Sequence, residues 1–459
     1  MLVAVGIGLS ATIDPDTSGA VGRSAFLCLL VAFLLFSRGG VLSGERLLTV
    51  IGVAGLLLRI PLALAHVAVA YWIYGGETDL SGFYTHGVRI GREFLEGRFE
   101  EALFGFEYTF AGDLALAVVH RLSALLYFFV GPSAIGMSLA SGLVGFLGSL
   151  LFLRAYQTEF PSSRETRFLA MCLFLFPGLA FWSSLLGKDS WIYFFLGWVT
   201  YSAAQLFKAV RFRHVCGVVI SVTFIFLTRA AIGPILVAAL GVGILLAMRS
   251  RIRDGSPEAI LRPAAYVSCA VIAAGMVMLA ASAGPRIGVN EPTASPMDDL
   301  VALAVHKHVG LAGDLTAGGS SLEARITEPT LFGAIQFLPG GILTFLFRPV
   351  IFEAHNPLAF AAAFDGTLLA FLVLWRWRHL LMAARAAVNR PLIAFCWVAF
   401  LPLLAGLSFE ANFGVIVRHR IMVLPFLFLF LAVPTRQEDS ADAPEGQDSS
   451  TRPVQVPVM

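Results

Sequence analysis

Apolar residues fall along this chain in long blocks, separated by short stretches that carry arginine, proline or glycine. The blocks lie at 24–37, 47–73, 132–153, 168–185, 191–207, 215–228, 231–248, 264–283, 357–375, 391–407 and 419–433. Their length and near-absence of charge predict membrane-spanning helices, which need about 20 apolar residues to cross a bilayer. A twelfth run, 114–130, contains His120 and Arg121 and ends at Gly131-Pro132. Within 75–113, residues Phe83, Gly87, Ile90, Gly91 and Phe94 recur at helical spacing, which predicts an amphipathic helix lying against the membrane. The run 331–347 holds Pro339-Gly340-Gly341 and reads as a re-entrant or interfacial segment. From Pro434 the chain turns rich in Glu, Asp, Ser, Pro and Gln and reads as a disordered tail.

Composition sharpens this to a class. The 459 residues are 58% hydrophobic and 14% charged, with a mean hydropathy of +0.81. An ordinary soluble domain is roughly 45–50% apolar and about 25% charged, so a soluble enzyme, a disordered chain and a disulfide scaffold are excluded. A formal charge of +2 gives no surface for nucleic acid. Cys28, Cys172, Cys216, Cys269 and Cys396 all lie in apolar runs without metal-ligand spacing and read as small core hydrophobes. The opening MLVAVGIGLSATIDP predicts no signal peptide.

Charge also orients the spans. The loops 38–46, 154–167, 208–214, 249–262 and 376–390, together with the tail, hold 18 of the 32 basic residues. All five loops fall on one side only if 114–130 lies in the interface, and the positive-inside rule makes that side cytoplasmic. The expected architecture is an all-α polytopic membrane protein of about 11 spans over residues 1–433. Its two long outer loops, 75–131 and 284–356, carry interfacial helices, and its tail, 434–459, is cytoplasmic.

On that topology the polar groups gather at the outer ends of the spans. They are Asp79, Lys188, Asp189, Arg229, Arg348, Glu353, His355, Glu410, Arg418 and Arg420. Cations are disfavoured on that side, so Lys188, Arg229, Arg348, Arg418 and Arg420 point to an anionic ligand such as a lipid phosphate. Taken singly, Lys188-Asp189 reads equally as a self-neutralising pair, Arg229 as a snorkelling cation and Asp79 as one more solvated acid. Two charges sit deeper, Arg59 in 47–73 and Asp365 in 357–375, and pairing with each other is the natural expectation. His306, Lys307 and His308 with Asp298 and Asp299 lack ligand spacing, so no metal site and no cofactor is predicted.

Several stretches carry a family resemblance. Glu77-Thr78-Asp79-Leu80-Ser81-Gly82-Phe83-Tyr84 resembles the first outer loop of GT-C-type glycosyltransferases, the polytopic enzymes related to protein O-mannosyltransferases. The stretch from Phe176-Pro177 through Trp182-Ser183-Ser184 to Lys188-Asp189-Ser190 is similar to membrane proteins of bacterial exopolysaccharide clusters. So are Phe347-Arg348-Pro349 through Glu353 to His355-Asn356-Pro357, and Arg418-His419-Arg420 through Pro425. The resemblance implies a bacterial inner-membrane enzyme that moves a sugar from a polyprenyl-phosphate-linked donor to a glycan or lipid acceptor at the outer face, with inversion. It implies Asp79 as general base on the acceptor hydroxyl. The lysine and arginines would stabilise the departing phosphate. The sequence departs from the family in carrying Glu-x-Asp after its second span. A polysaccharide polymerase, a transporter or flippase for lipid-linked glycans, and a non-catalytic export scaffold are the alternatives.

Overall fold

Proline, glycine and short capping residues decide where the apolar runs become helices. The computed structural model describes residues 45–104, 114–161, 163–253, 331–354, 357–410 and 412–435. The spans expected at 24–37 and 264–283, His355, the segment with His306 and Asp298, and the tail from 436 lie outside them.

The described chain is helical, with no strand among the described residues. In order come α1 (Arg46–Ala68, closing in a π-helical turn at Val69–Ile73), α2 (Asp79–Leu95), α3 (Phe99–Phe104), α4 (Leu114–Val130) and α5 (Ala134–Glu159). Next are α6 (Glu165–Leu175), α7 (Pro177–Trp182), α8 (Lys188–Lys208), α9 (Phe212–Thr228) and α10 (Ile232–Arg253). The last are α11 (Leu331–Phe347), α12 (Pro357–Trp375), α13 (Trp377–Ala386), α14 (Pro391–Leu407), α15 (Phe413–His419) and α16 (Leu424–Leu431). Three of the described helices are long and apolar enough to cross a membrane: Arg46–Ile73, Ala134–Glu159 and Ile232–Arg249. The number rises to five if two bent pairs each count as one span. Leu57, Leu245, Phe371, Leu374 and Leu401 point outward and are exposed, an arrangement suited to lipid and costly in water.

At the centre stands α5, buried along most of its length. Ser133 caps it by accepting the Gly136 N–H at 3.0 Å. Its closest partner is α8, and glycines allow the approach: a Cβ on Gly197 would lie 2.6 Å from the Gly148 carbonyl oxygen. A second close pair is α2 with α4. A Cβ on Gly87 would meet Ser123 Cβ at 2.7 Å, and one on Gly91 would overlap the Tyr127 ring. Here the structure corrects an expectation. The apolar face of the 79–95 helix packs on α4 instead of lying on the membrane, because its two glycines fit that neighbour.

Two expected spans are broken. Pro177 has no N–H and forces Phe176 into an extended conformation (φ −60°, ψ 122°), so the run 168–185 becomes α6, then the short α7. The run 419–433 opens on the last residue of α15 and continues as a 3-10 turn at Arg420–Met422 and α16, which is bent by 56° from the segment Phe413–Met422. The basic segment after α12 is itself helical as α13, turned 67° from it. By contrast α11 continues through Pro339 as one helix of 17 residues.

Candidate functional site

Helix ends bring the singled-out residues together. Gly75 and Gly76, at φ 62° and 86°, reverse the chain after α1 and deliver Asp79 as the first residue of α2. Thr78 starts that helix, its N–H bonded to Ser81 Oγ at 3.3 Å. Lys188 and Asp189 open α8, Arg229 closes α9, and Arg418 and His419 form the last turn of α15, which Asn412 caps. Asp79 and Asp189 thus sit in first turns and Arg229 and Arg418 at helix ends, as the helix dipole favours, while Lys188 stands at a helix start against it.

Arg418 is the hub. Its Nη1 donates to Asp79 Oδ2 at 2.6 Å, and its Nε donates to Asp189 Oδ2. Arg229 stands on the other oxygen of Asp189, with Nη2 at 3.7 Å from Oδ1. The same Nη2 donates to His419 Nε2 at 2.6 Å, which leaves His419 Nδ1 to donate to Glu410 Oε1 at 3.2 Å. Asp189 is 1% exposed, whereas the Asp79 side chain is 60% exposed. The network therefore has a buried root and an open edge. Asp189 and Lys188 lie ahead of the apolar segment that begins at Trp191. Burial would raise the Asp189 carboxyl, but Arg418 and Arg229 outweigh it and hold the group below its ordinary value. Burial, and then Arg229, lower the Lys188 ammonium. Three cations face three carboxylates once Glu410 is counted, so an incoming anion must compete with Asp79 for Arg418.

The remaining candidates go elsewhere. Arg348 Nε donates to Glu353 Oε1 at 2.8 Å, Glu353 Oε2 accepts the Val350 N–H at 2.9 Å, and the guanidinium lies 5.5 Å from the Phe413 ring centre. Arg420 is 1% exposed and donates to the carbonyls of Phe345, at 2.6 Å, and Arg348. Its Nη1 stands 3.9 Å from Asp365 Oδ2. That makes it a tie inside the bundle, not part of the open cluster.

Nor do Arg59 and Asp365 pair with each other. Asp365 Oδ1 accepts the Gly178 N–H at 2.7 Å, at the start of α7. Arg59 Nη1 donates to the Ala180 carbonyl at 2.7 Å and to Ser184 Oγ at 3.1 Å, and also bonds Ser183 Oγ, all at the far end of α7. A helix broken at Pro177 leaves free backbone groups at both ends, which lipid cannot satisfy. The two charges satisfy them instead.

One neighbour was not singled out from sequence. His66 on α1 is 6% exposed and stacks on Phe181 of α7 with ring centres 3.9 Å apart. Its electrostatic environment includes Arg418 and Asp189. Arg59 and His66 are seven residues apart in an apolar helix, so they share a face, and that spacing was the available signal. Among the described residues no group of three or more His, Cys, Asp or Glu side chains is placed to hold a metal ion. Compared with protein-family models, with curated proteins and with solved structures, the chain matches none.

Proposed function

We propose that this chain is a GT-C-like glycosyltransferase of the bacterial inner membrane. It moves a sugar from a polyprenyl-phosphate-linked donor to an envelope glycan or lipid acceptor at the outer face. The observation that carries the reading is Arg418 holding Asp79 and Asp189 at once, because those carboxylates come from two of the stretches that carry the resemblance. Lys188, Arg229 and Arg418 supply cations beside an exposed carboxylate, the pair of tasks that glycosyl transfer from a phosphate needs.

The geometry suits a sequence of steps. The donor phosphate takes Arg418 Nη1, with Lys188 beside it, and so displaces Asp79. The released carboxylate then accepts the proton of the acceptor hydroxyl as that oxygen attacks the anomeric carbon. The C–O bond to phosphate breaks, and the phosphate leaves on the cations. Asp189 keeps Arg418 and Arg229 in place throughout.

The test is sugar transfer in membranes supplied with labelled polyprenyl-linked donors, comparing the wild type with Asp79→Asn at matched protein levels. A general base contributes about 10²–10⁴-fold, so transfer should fall by at least that lower figure. Equal transfer in both would remove Asp79 from the chemistry. No transfer by the wild type would favour the transporter or scaffold. The proposed topology of about 11 spans with a cytoplasmic tail has its own test: reporter fusions at Arg251 and Thr316 should report opposite sides.

A further inference from the structure

The second place where polar side chains meet an opening lies at the other end of α8. Near Gly148 and Gly197 the backbones of α5 and α8 touch. Beyond that crossing an open cavity of about 420 Å³ lies between residues of the two helices. It is lined by Leu150, Leu151, Arg154, Gln157, Thr158, Tyr201 and Gln205. Tyr201 and Gln205 stand about 18–24 Å along the helix from Asp189, so this cavity is separate from the Arg418 cluster.

Its lining is graded. Leu150 and Leu151 lie deeper along α5, and Arg154, Gln157 and Thr158 follow toward the helix end at Glu159. Arg154 is about 7.5 Å from that end, the depth of a headgroup if the helix ends at the membrane surface. Arg154 Nη1 donates to Gln157 Oε1 at 3.2 Å along α5, and Gln205 Nε2 donates to Thr158 Oγ1 at 3.0 Å, which ties α8 to α5. Lys208 Nζ donates to the Thr158 carbonyl and brings a second cation to the rim. No carboxylate lines the cavity. The nearest in sequence, Glu159, is held by Arg390 at 3.2 Å. The same end carries the basic loops 154–167 and 208–214, which the charge distribution places at the cytoplasmic leaflet.

We infer that the α5–α8 groove is a binding site for an anionic glycerophospholipid of the cytoplasmic leaflet. Its phosphate sits on Arg154, with Gln157, Tyr201 and Gln205 as neutral hydrogen-bond partners, and its acyl chains run along Leu150 and Leu151. Basic pockets between spanning helices on the cytoplasmic side recognise such headgroups, and a cavity of this size suits one. The inference does not depend on the reaction at the other end.

The experiment uses the full-length protein in detergent with equimolar phosphatidylglycerol and phosphatidylcholine, the retained lipid being read by native mass spectrometry. The wild type should retain phosphatidylglycerol preferentially. Arg154→Gln should cut that preference about five- to tenfold, Arg154→Lys should keep part of it, and the exposed Arg211→Gln should leave it within about twofold. Leu151→Trp, which fills the groove and leaves the charge, should abolish retention; it carries the test if Arg154→Gln yields no monodisperse protein. No preference in the wild type would overturn the inference. An unchanged preference in Arg154→Gln or Leu151→Trp would do the same. Equal loss in Arg211→Gln would reduce the effect to diffuse surface charge. Displacement of the lipid by inorganic phosphate at similar concentration would assign the site to a free anion instead.

Discussion

Arginine and aspartate do opposite work in two regions of this protein. In the Arg418 cluster, this guanidinium faces two carboxylates, one of them 60% exposed, and the network ends at an open edge. In the deep set, Arg59, Asp365 and Arg420 are at most 2% exposed and bond mainly to backbone groups of α7 and α11. Residue type does not separate the two. What separates them is whether a broken helix nearby leaves amides and carbonyls unsatisfied. Where it does, the charge is drawn into fastening. In the Arg418 cluster the charged groups pair with one another, and Asp79 stays accessible.

Removing the aspartate of the deep set is the hardest test of this contrast. Asp365→Ala strands the Gly178 amide and leaves the buried Arg420 charge without its carboxylate, and should cost about 3–5 kcal/mol of stability, read as thermal unfolding of the purified protein in detergent. A nearly silent Asp365→Ala would end the fastening account. Gly178→Ala comes next: its Cβ would overlap the Asp365 carboxylate, and the strain should cost about 1–3 kcal/mol. Arg59→Met should cost less, about 1 kcal/mol. Ser184 still donates to the Ala180 carbonyl at 2.7 Å and Ser183 to the Leu179 carbonyl at 2.5 Å, so α7 keeps caps of its own. Asp79→Asn should change stability least, within roughly 0.5 kcal/mol, while abolishing sugar transfer. That split between stability and activity is what the Arg418 cluster predicts and the deep set forbids. A large stability loss in Asp79→Asn would erase the distinction.

Much of this was legible before any coordinates. Apolar blocks bounded by arginine gave helices close to the observed limits, 114–130 above all, since each block must satisfy its own backbone hydrogen bonds. The spacing of Phe83, Gly87 and Gly91 gave the face of α2 but not its partner, because periodicity reports a side and not what covers it. Asp79, Lys188, Asp189, Arg229 and Arg418 were singled out as charges near span ends; that Asp79 and Asp189 meet on the Arg418 guanidinium was not readable from positions so far apart in the chain.

The sequence by itself determined the class of this protein, the helices and the residues worth suspecting, because hydropathy and helix punctuation are local properties of the chain. Only the tertiary structure decided which arginine stands on which acid. Arg59 and Asp365 were the plausible pair by charge and depth, yet Pro177 created a nearer demand at each end of α7. Arg420, two residues from Arg418, went to backbone carbonyls because the 3-10 turn after α15 points it inward. Pairing among like candidates is settled by distance and by competing backbone groups, and both exist only once the helices have packed.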